Sequence, residues 1–437
     1  MNSMKKFNKV FLSLSLALSI SVSSCQEPAE ISLEEVTRIV STLADDDMEG
    51  RGIFTPGIDK ASQFIQGEFE KAGLEYLDGL SSYDQQFDMY TLAPESMNVS
   101  LNGKAQSESN VIAMVNSANI KWDKNTVLEV SVIGADEDFR AAFNGVRNAK
   151  GMQMVLVNTA HKDMFARYKG FFSRGSNLMK MDEENAAVMV LTNLKSFNTL
   201  DVDISNSITE KSLSNVTGKI SGKRANEIVL FSAHYDHLGI RGTEGDIIFN
   251  GANDDASGTT AVITLAKYFK DMGGTPERTI VFTAFTAEES GGYGSKYFSE
   301  NMDPDQIIAM FNIEMIGKGA TEGPNTAWIT GFERSSFGTL LQQAVEGTEY
   351  EFYPDPYPDQ NLFYRSDNAT LARLGVPAHS ISTSPIDTDP DYHKASDEVS
   401  TMDMAHMTNT IKAIAAAAKR MISGEDTPTR VDPATVN

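Results

Sequence analysis

Leu33, Val36, Ile39, Val40 and Leu43 recur every three or four residues, the period of one helical face, and Ser32-Leu33-Glu34-Glu35 has the form of a capping box. A helix is predicted there. Ala61, Phe64, Ile65, Phe69 and Ala72 repeat the spacing and stop at Gly73, a residue suited to the left-handed conformation that closes many helices. Between the two lies Met48-Glu49-Gly50-Arg51-Gly52, a Gly-punctuated loop. From about 97 to 212 the texture changes to short β-type runs at 127–133, 154–157 and 187–191, separated by polar stretches.

From 213 to 423 the alternation is different. Short, largely apolar runs at 228–231, 280–285, 307–313 and 376–381 have the character of interior strands, and helical patterns fall between them. Ala261, Val262, Leu265, Ala266 and Phe269 mark one such helix; Ile411, Ile414, Ala415 and Ala418 mark the last. Strands alternating with helices predict an α/β three-layer sandwich with a mixed, mostly parallel central sheet. The expected organisation is a signal-like segment 1–24, an N-terminal helical segment 25–96 packing on the main domain, an inserted β-rich accessory domain 97–212, the α/β domain 213–423, and a loose Pro/Thr/Asp-rich tail 424–437.

The start of the chain stands apart. Lys5, Lys6 and Lys9 precede an apolar run at 10–22, too short to span a bilayer, and Val22-Ser23-Ser24 leads into Cys25. The segment resembles bacterial lipoprotein signals, in which the cysteine becomes the lipidated N-terminus; an ordinary secretory signal with a chance cysteine is the alternative. Export to the periplasm or cell surface is expected either way, with a lipid anchor at Cys25 as the membrane contact in the first case.

Composition narrows the chemistry. With 37 basic and 60 acidic residues the net charge is -23, which repels phosphate backbones, so no nucleic-acid partner is expected. One cysteine excludes an internal disulfide and a thiolate zinc finger. Any metal must be held by His, Asp and Glu.

Such residues cluster directly after the apolar runs. The clusters are Ala233-His234-Tyr235-Asp236-His237; Gly251-Ala252-Asn253-Asp254-Asp255-Ala256-Ser257-Gly258; Ala287-Glu288-Glu289-Ser290-Gly291-Gly292; Asn312-Ile313-Glu314-Met315-Ile316-Gly317; and Tyr392-His393-Lys394-Ala395-Ser396-Asp397-Glu398. Taken singly, each has an ordinary explanation. A strand-end histidine is readily paired by local backbone, and adjacent acids suit a solvated turn or a helix N-terminus. Glu314 is hardest to explain in this way, because an ionised carboxylate among apolar neighbours needs a partner. Together, His, Asp and Glu at successive strand ends form the donor set that suits zinc without sulfur.

In order and content these clusters, with Gly294-Ser295-Lys296-Tyr297-Phe298, resemble the M28 family of co-catalytic zinc exopeptidases. Residues 43–73, with Glu49-Gly50-Arg51-Gly52 and Thr55-Pro56-Gly57, are similar to the N-terminal part of bacterial M28 aminopeptidases. The resemblance spans roughly 30–80 and 213–423. It implies a zinc-exopeptidase fold, two Zn2+ ions and peptide substrates. Asp254 would bridge the ions, with His234 and Glu314 completing one site and Glu289 and His393 the other. Glu288 would be the general base and Asp236 the partner orienting His234. The family tends to hold the bond equivalent to Asp254-Asp255 in the cis form. Most members have Asp where Glu314 stands, and Asn368 replaces a family histidine beside Asp367.

Asp367 is then a candidate for the substrate amine or an ordinary helix cap, and Tyr392 a candidate for the substrate carbonyl or a packing tyrosine. His161, His379 and His406 are read as structural. The 165–180 stretch is a candidate lid or a solvated loop. An aminopeptidase is expected. Alternatives on the same fold are a carboxypeptidase, a glutaminyl-cyclase-like acyltransferase needing one zinc, and an inactive receptor that has lost catalytic residues. The assembly state is not legible.

Overall fold

In the computed structural model, which describes Met1 and residues 29–436, a 12-stranded mixed sheet forms the centre. The cleavage region and Cys25 lie outside the described residues. Across the sheet the strands run Glu351–Pro354, Thr326–Ile329, Ala378–Ser382, Ile307–Ile313, Arg224–His234, Arg278–Phe285, Leu200–Ile220 and Asp84–Leu101. The four from Ala378–Ser382 to Arg278–Phe285 are mutually parallel; Thr326–Ile329 and Leu200–Ile220 join their two edges antiparallel, and Glu351–Pro354 pairs in parallel with Thr326–Ile329.

Both faces of the parallel block are covered, so its strands carry apolar residues at successive positions. In Arg224–His234, Val229, Phe231 and Ala233 enter one apolar core while Ile228 and Leu230 enter another. The first core lies under helices Leu33–Leu43, Pro56–Ala72, Ser257–Asp271 and Met404–Ile422. The second is closed by Tyr293–Glu300 through Phe298 and by Asn368–Ala372 through Leu371. Phe231 stacks on Phe269, Phe282 and Phe311, a contact spanning three strands and a helix. Each such side chain stabilises the fold by about 1.5–3 kcal/mol through burial.

The predicted N-terminal helices form as expected. Ser32 caps the first, accepting from the Glu35 amide at 3.2 Å, and Gly73 closes the second in the left-handed region. No described helix is long and apolar enough to cross a membrane.

Residues 97–212 form a second α/β arrangement. Strands Val111–Val115, Ala186–Leu191, Met152–Val157 and Glu129–Ile133 make a four-stranded sheet, accompanied by helices Phe139–Asn148 and Lys162–Phe172. The two helices are absent from the sequence expectation, which saw only β-type runs. Their aromatic faces, Phe139, Phe143 and Phe165, pack on the sheet. The expected boundaries at 96/97 and 212/213 fall inside two long strands, Asp84–Leu101 and Leu200–Ile220, which pair along their length and connect the main sheet to this unit.

The tail expected to be loose is held in place. Val431 is buried, and the buried Arg278 donates to the carbonyls of Met421 and Asp426 at 2.8 and 2.7 Å and to Thr427 Oγ1 at 2.6 Å. Arg430 reaches back to the Ile307 carbonyl at 2.9 Å. Polar composition is compatible with order because distant arginines satisfy the tail. Deleting 425–437 leaves the Arg278 guanidinium short of partners and exposes the Val431 seat. Denaturant unfolding is expected to show a loss of at least about 2 kcal/mol; unchanged stability would mean the tail contributes nothing.

Candidate metal centre

Parallel strands in register end at the same edge, which turns sequence-distant residues into neighbours. His234 is the last residue of its strand and pairs with Phe285, whose strand runs directly into Ala287-Glu288-Glu289. Glu314 follows Ile313, and the loop after Ala378–Ser382 carries Tyr392, His393 and Asp397. Asp254 sits in the turn that opens Ser257–Asp271.

There the expected ligands meet. His234 Nε2 lies 3.3 Å from Asp254 Oδ1 and 3.4 Å from Glu314 Oε1. On the other side of the same carboxylate, His393 Nε2 lies 3.2 Å from Asp254 Oδ2 and 3.3 Å from Glu289 Oε1. One residue not assigned from sequence joins them: His237 Nδ1 is 2.9 Å from Glu289 Oε1 and 3.9 Å from Asp254 Oδ2. Its position three residues after His234 on the same strand-end loop was the available signal. His234, Asp254 and Glu314, and separately His237, Asp254 and Glu289, each present ligand atoms within 4.8 Å of one another. Nitrogen and carboxylate donors at these separations fit a divalent cation. The Glu289 Oε1 atom is buried and, among the described residues, has no hydrogen-bond partner, so it is free to face a cation.

The surrounding polar groups hold the ligand loops in place. The Asp236 carboxylate accepts from the amides of Glu288 at 3.0 Å and Glu289 at 3.3 Å. It stands 3.7 Å from His234 Nδ1, whose hydrogen bond is made by the Asp236 backbone carbonyl at 3.0 Å. Asp236 therefore orients the Glu288–Glu289 loop with its side chain and His234 with its main chain. Asp255 Oδ1 accepts from Gly258 and Met315 amides at 3.0 and 2.9 Å, joining the Asp254 turn to the Glu314 loop. Asp397 accepts from the amides of Asn253 and Asp254 at 2.9 and 3.0 Å. Ser366 Oγ donates to Glu314 Oε2 at 2.6 Å, so the longer Glu314 is anchored by one oxygen while the other faces His234. The Asp254-Asp255 peptide bond is cis.

Arg51, within the Gly-punctuated loop, is fully buried and donates to the carbonyls of Leu43, Tyr235, Asn250 and Gly251. One guanidinium ties the N-terminal segment to both the His234 and Asp254 loops. The three other histidines have the structural character expected. His161 pairs with the Gly134 carbonyl, and burial pushes His379, bonded to Thr330 and Ser335, down to about 4. His406 is buried on the last helix.

Residues 215–418 match the sequence profile of Peptidase family M28. Over those residues the chain is similar to that family. It is 26% identical over 212 residues to leucine aminopeptidase 1 of Trichoderma harzianum, covering 46% of this chain and 52% of that one. Against leucine aminopeptidase 1 of Trichophyton rubrum the identity is 29% over 202 residues, covering 44% and 53%. The chain thus spans about half the length of the curated relatives it matches. In fold it is similar to an aminopeptidase from Aneurinibacillus sp. strain AM-1, with a TM-score of 0.52, 17% identity and 93% and 96% coverage. A zinc aminopeptidase from Bacillus subtilis gives a TM-score of 0.55 at 17% identity, covering 91% and 97%.

The remaining candidates lie beside this cluster. Asp367 is buried, and among the described residues neither carboxylate oxygen has a hydrogen-bond partner, so it does not cap the helix it precedes. Burial, opposed by His234, lifts its pKa to about 7. Asn368 bonds to Ser380 Oγ and the Phe363 carbonyl behind the sheet edge. Tyr392 stacks on His393 with centroids 4.0 Å apart and accepts from Arg365 Nη2 at 3.3 Å. Within 165–180, Ser176–Leu178 adds to the Asp84–Leu101 strand.

Charge balance makes ion binding depend on pH. Burial pulls His393 down, but Asp254 and Glu289 outweigh it and lift the pKa to about 10; His234 is likewise raised, by Glu314, Asp236 and Asp254 against its burial. In the metal-free protein a protonated His393 adds stability that is full below its unfolded value and is lost as pH rises through about 10. A cation competes with these protons, so binding releases them and strengthens with pH. Calorimetry in buffers of different ionisation enthalpy at pH 7 is expected to show release of about one proton or more per ion. The chelator concentration that strips the protein should fall at least about tenfold from pH 8 to pH 6. Binding without proton release would rule out this donor set.

Proposed function

We propose that this chain is an exported, zinc-dependent M28 aminopeptidase that uses two metal ions and Glu288 as general base. The observation that carries the reading is the division of Asp254, whose Oδ1 faces His234 and Glu314 while its Oδ2 faces His393 and Glu289. A carboxylate with a separate donor group at each oxygen suits a pair of cations sharing it. When bound, such a pair polarises a carbonyl oxygen and makes a water acidic near neutral pH. The names of the M28 relatives support zinc and removal of N-terminal residues.

Glu288 is on the loop fixed by Asp236 and is half-buried beside the ligands. Burial raises its proton affinity strongly, against the pull of His234, and Asp367, Glu314 and Glu289 add to the rise. Such a carboxylate can take a proton from the attacking water and return it to the leaving amine. Asp367, unpartnered and buried, offers the negative charge that a substrate α-ammonium requires. Beside Glu314 a pocket has Met315, Trp328, Leu362, Ile386 and Tyr392 on its wall together with Thr330, Arg365 and four serines, a mixed lining able to take a substrate side chain. Tyr392, bonded to Arg365, would meet the substrate carbonyl in this reading.

Assays with amino-acid p-nitroanilides, before and after chelation, test the activity. Chelator-sensitive release from free but not N-acetylated substrates is expected, whereas pyroglutamate formation would favour a cyclase. Glu288→Gln should retain its metal, measured by mass spectrometry, and lose at least about a hundredfold in turnover. Unchanged turnover would overturn the assigned base.

Export and anchoring at Cys25 rest on Lys5, Lys6 and Lys9, the apolar run and Val22-Ser23-Ser24-Cys25. In a bacterial host, Cys25→Ser is expected to move the protein from the membrane to the soluble fraction and to abolish acyl labelling. Retained labelling would place the modification elsewhere.

A further inference from the structure

We infer that His237 is a metal ligand, so that the cation position at Asp254 Oδ2 is enclosed by four side chains: His237, Asp254, Glu289 and His393. The position at Asp254 Oδ1 has three, His234, Asp254 and Glu314. The inference rests on the two-ion reading above and adds a residue to it.

The first support is geometric. Four donors about 2.0–2.1 Å from a tetrahedral zinc stand about 3.3 Å from one another. The measured separations are 2.9 Å for His237 Nδ1 to Glu289 Oε1, 3.9 Å for His237 Nδ1 to Asp254 Oδ2, 3.2 Å for His393 Nε2 to Asp254 Oδ2 and 3.3 Å for His393 Nε2 to Glu289 Oε1. They scatter about that value.

The second is the state of the ring. His237 is buried, and neither of its nitrogens has a hydrogen-bond partner among the described residues. Its Nδ1 and Glu289 Oε1 are close enough to bond, yet they are not aligned to do so, and Glu289 Oε1 is also unpartnered. Two unpaired donor atoms side by side, each directed past the other, are what a shared cation resolves. A cation at Nδ1 removes one of the two unpaired nitrogens; in its absence both remain as a buried cost.

The third is that the ring cannot withdraw. A Cβ on Gly251 would come within 2.5 Å of His237 Cγ and Cδ2, so the imidazole packs closely against the glycine. Gly251 is also in the left-handed region, and its carbonyl is fixed by Arg51, as is the His237 amide through the Arg51 carbonyl at 3.2 Å. His234 differs: its Nδ1 is bonded to the Asp236 carbonyl, leaving only Nε2 for an ion.

The test is made on full-length protein loaded with zinc. X-ray absorption should report imidazole scattering from three histidines, His234, His237 and His393, shared over two ions. Removing His237 should lower that number by one. Graded dialysis against a chelator, with bound zinc counted by mass spectrometry, is the second readout. His237→Gln and His237→Ala should each release one ion at a chelator concentration at least about tenfold lower than wild type and leave the other unmoved. His237→Gln keeps a polar side chain in the seat, and a circular dichroism spectrum matching wild type establishes that the fold is retained. Two bound ions with scattering from two histidines, or with release unaltered by both variants, overturns the inference and leaves the two-ion reading intact. Uptake of only one equivalent by wild type overturns the two-ion reading and the inference with it.

Discussion

Eight carboxylates crowd one end of a parallel sheet, and the placement of the rest of the site follows from how each is made tolerable. Three are satisfied by backbone: Asp236, Asp255 and Asp397 accept main-chain amides from neighbouring loops, and in doing so fix where those loops lie. Burial pushes two others, Asp367 and Glu288, toward the neutral form, as it also does Asp255 and Asp397 despite their amide partners. The last three, Asp254, Glu289 and Glu314, face histidines at separations that leave room for cations. An ionised carboxylate transferred out of water needs a partner of one of these kinds. Similar side chains are thus set in different surroundings, some among backbone amides, some in apolar burial and some opposite histidines.

Holding these groups at one edge requires the chain to turn sharply as each strand ends. Ala287, Met315 and His393 all have positive φ, at 59°, 53° and 55°, and each is at or beside a site residue. Such conformations cost non-glycine residues about 1–2 kcal/mol each. The cost is borne by the cores on either face of the sheet, where Val229, Phe231, Ile280 and Phe282 on one side and Leu230, Val281 and Phe285 on the other are buried. Arg51 performs the same service electrostatically, as a buried cation that binds carbonyls of the Leu43, Tyr235, Asn250 and Gly251 peptides and faces Asp397, Asp236, Asp254 and Asp255.

Much of this was legible in the sequence because interior parallel strands must be apolar on both faces. The runs at 228–231, 280–285 and 307–313 therefore stand out, and polar residues directly after them fall at one edge. His237 was not legible as a ligand. Its type and position were visible, but its two unpaired nitrogens are a property of the folded site. The role of Asp236 was half legible: proximity to His234 follows from the spacing, whereas its bonds to the Glu288 and Glu289 amides depend on a different strand. The tail and the accessory helices were misread for a shared reason. Composition reports what a segment can do alone, while Arg278 and the Val155–Met189 side of the small sheet supply partners from far away in sequence.

The continuous ribbon of Asp84–Leu101 and Leu200–Ile220 gives the accessory unit a physical connection to the chemistry. Ser176–Leu178 adds to that ribbon, and Tyr293 Oη donates to the Asn177 carbonyl at 2.6 Å. Tyr293 follows the glycine pair whose amides bond back to Glu288 and Ala287 carbonyls. Phe87, Leu213 and Ala287 pack together there with Met179 and Tyr293. The loop presenting Glu288 is therefore fixed from two directions, by the Asp236 carboxylate below the sheet edge and by a segment of the accessory unit beside it. A rigid ribbon running through both makes the insertion part of the wall around Glu288, so variation within 173–180 bears on the shape of the cleft even though no metal ligand lies there.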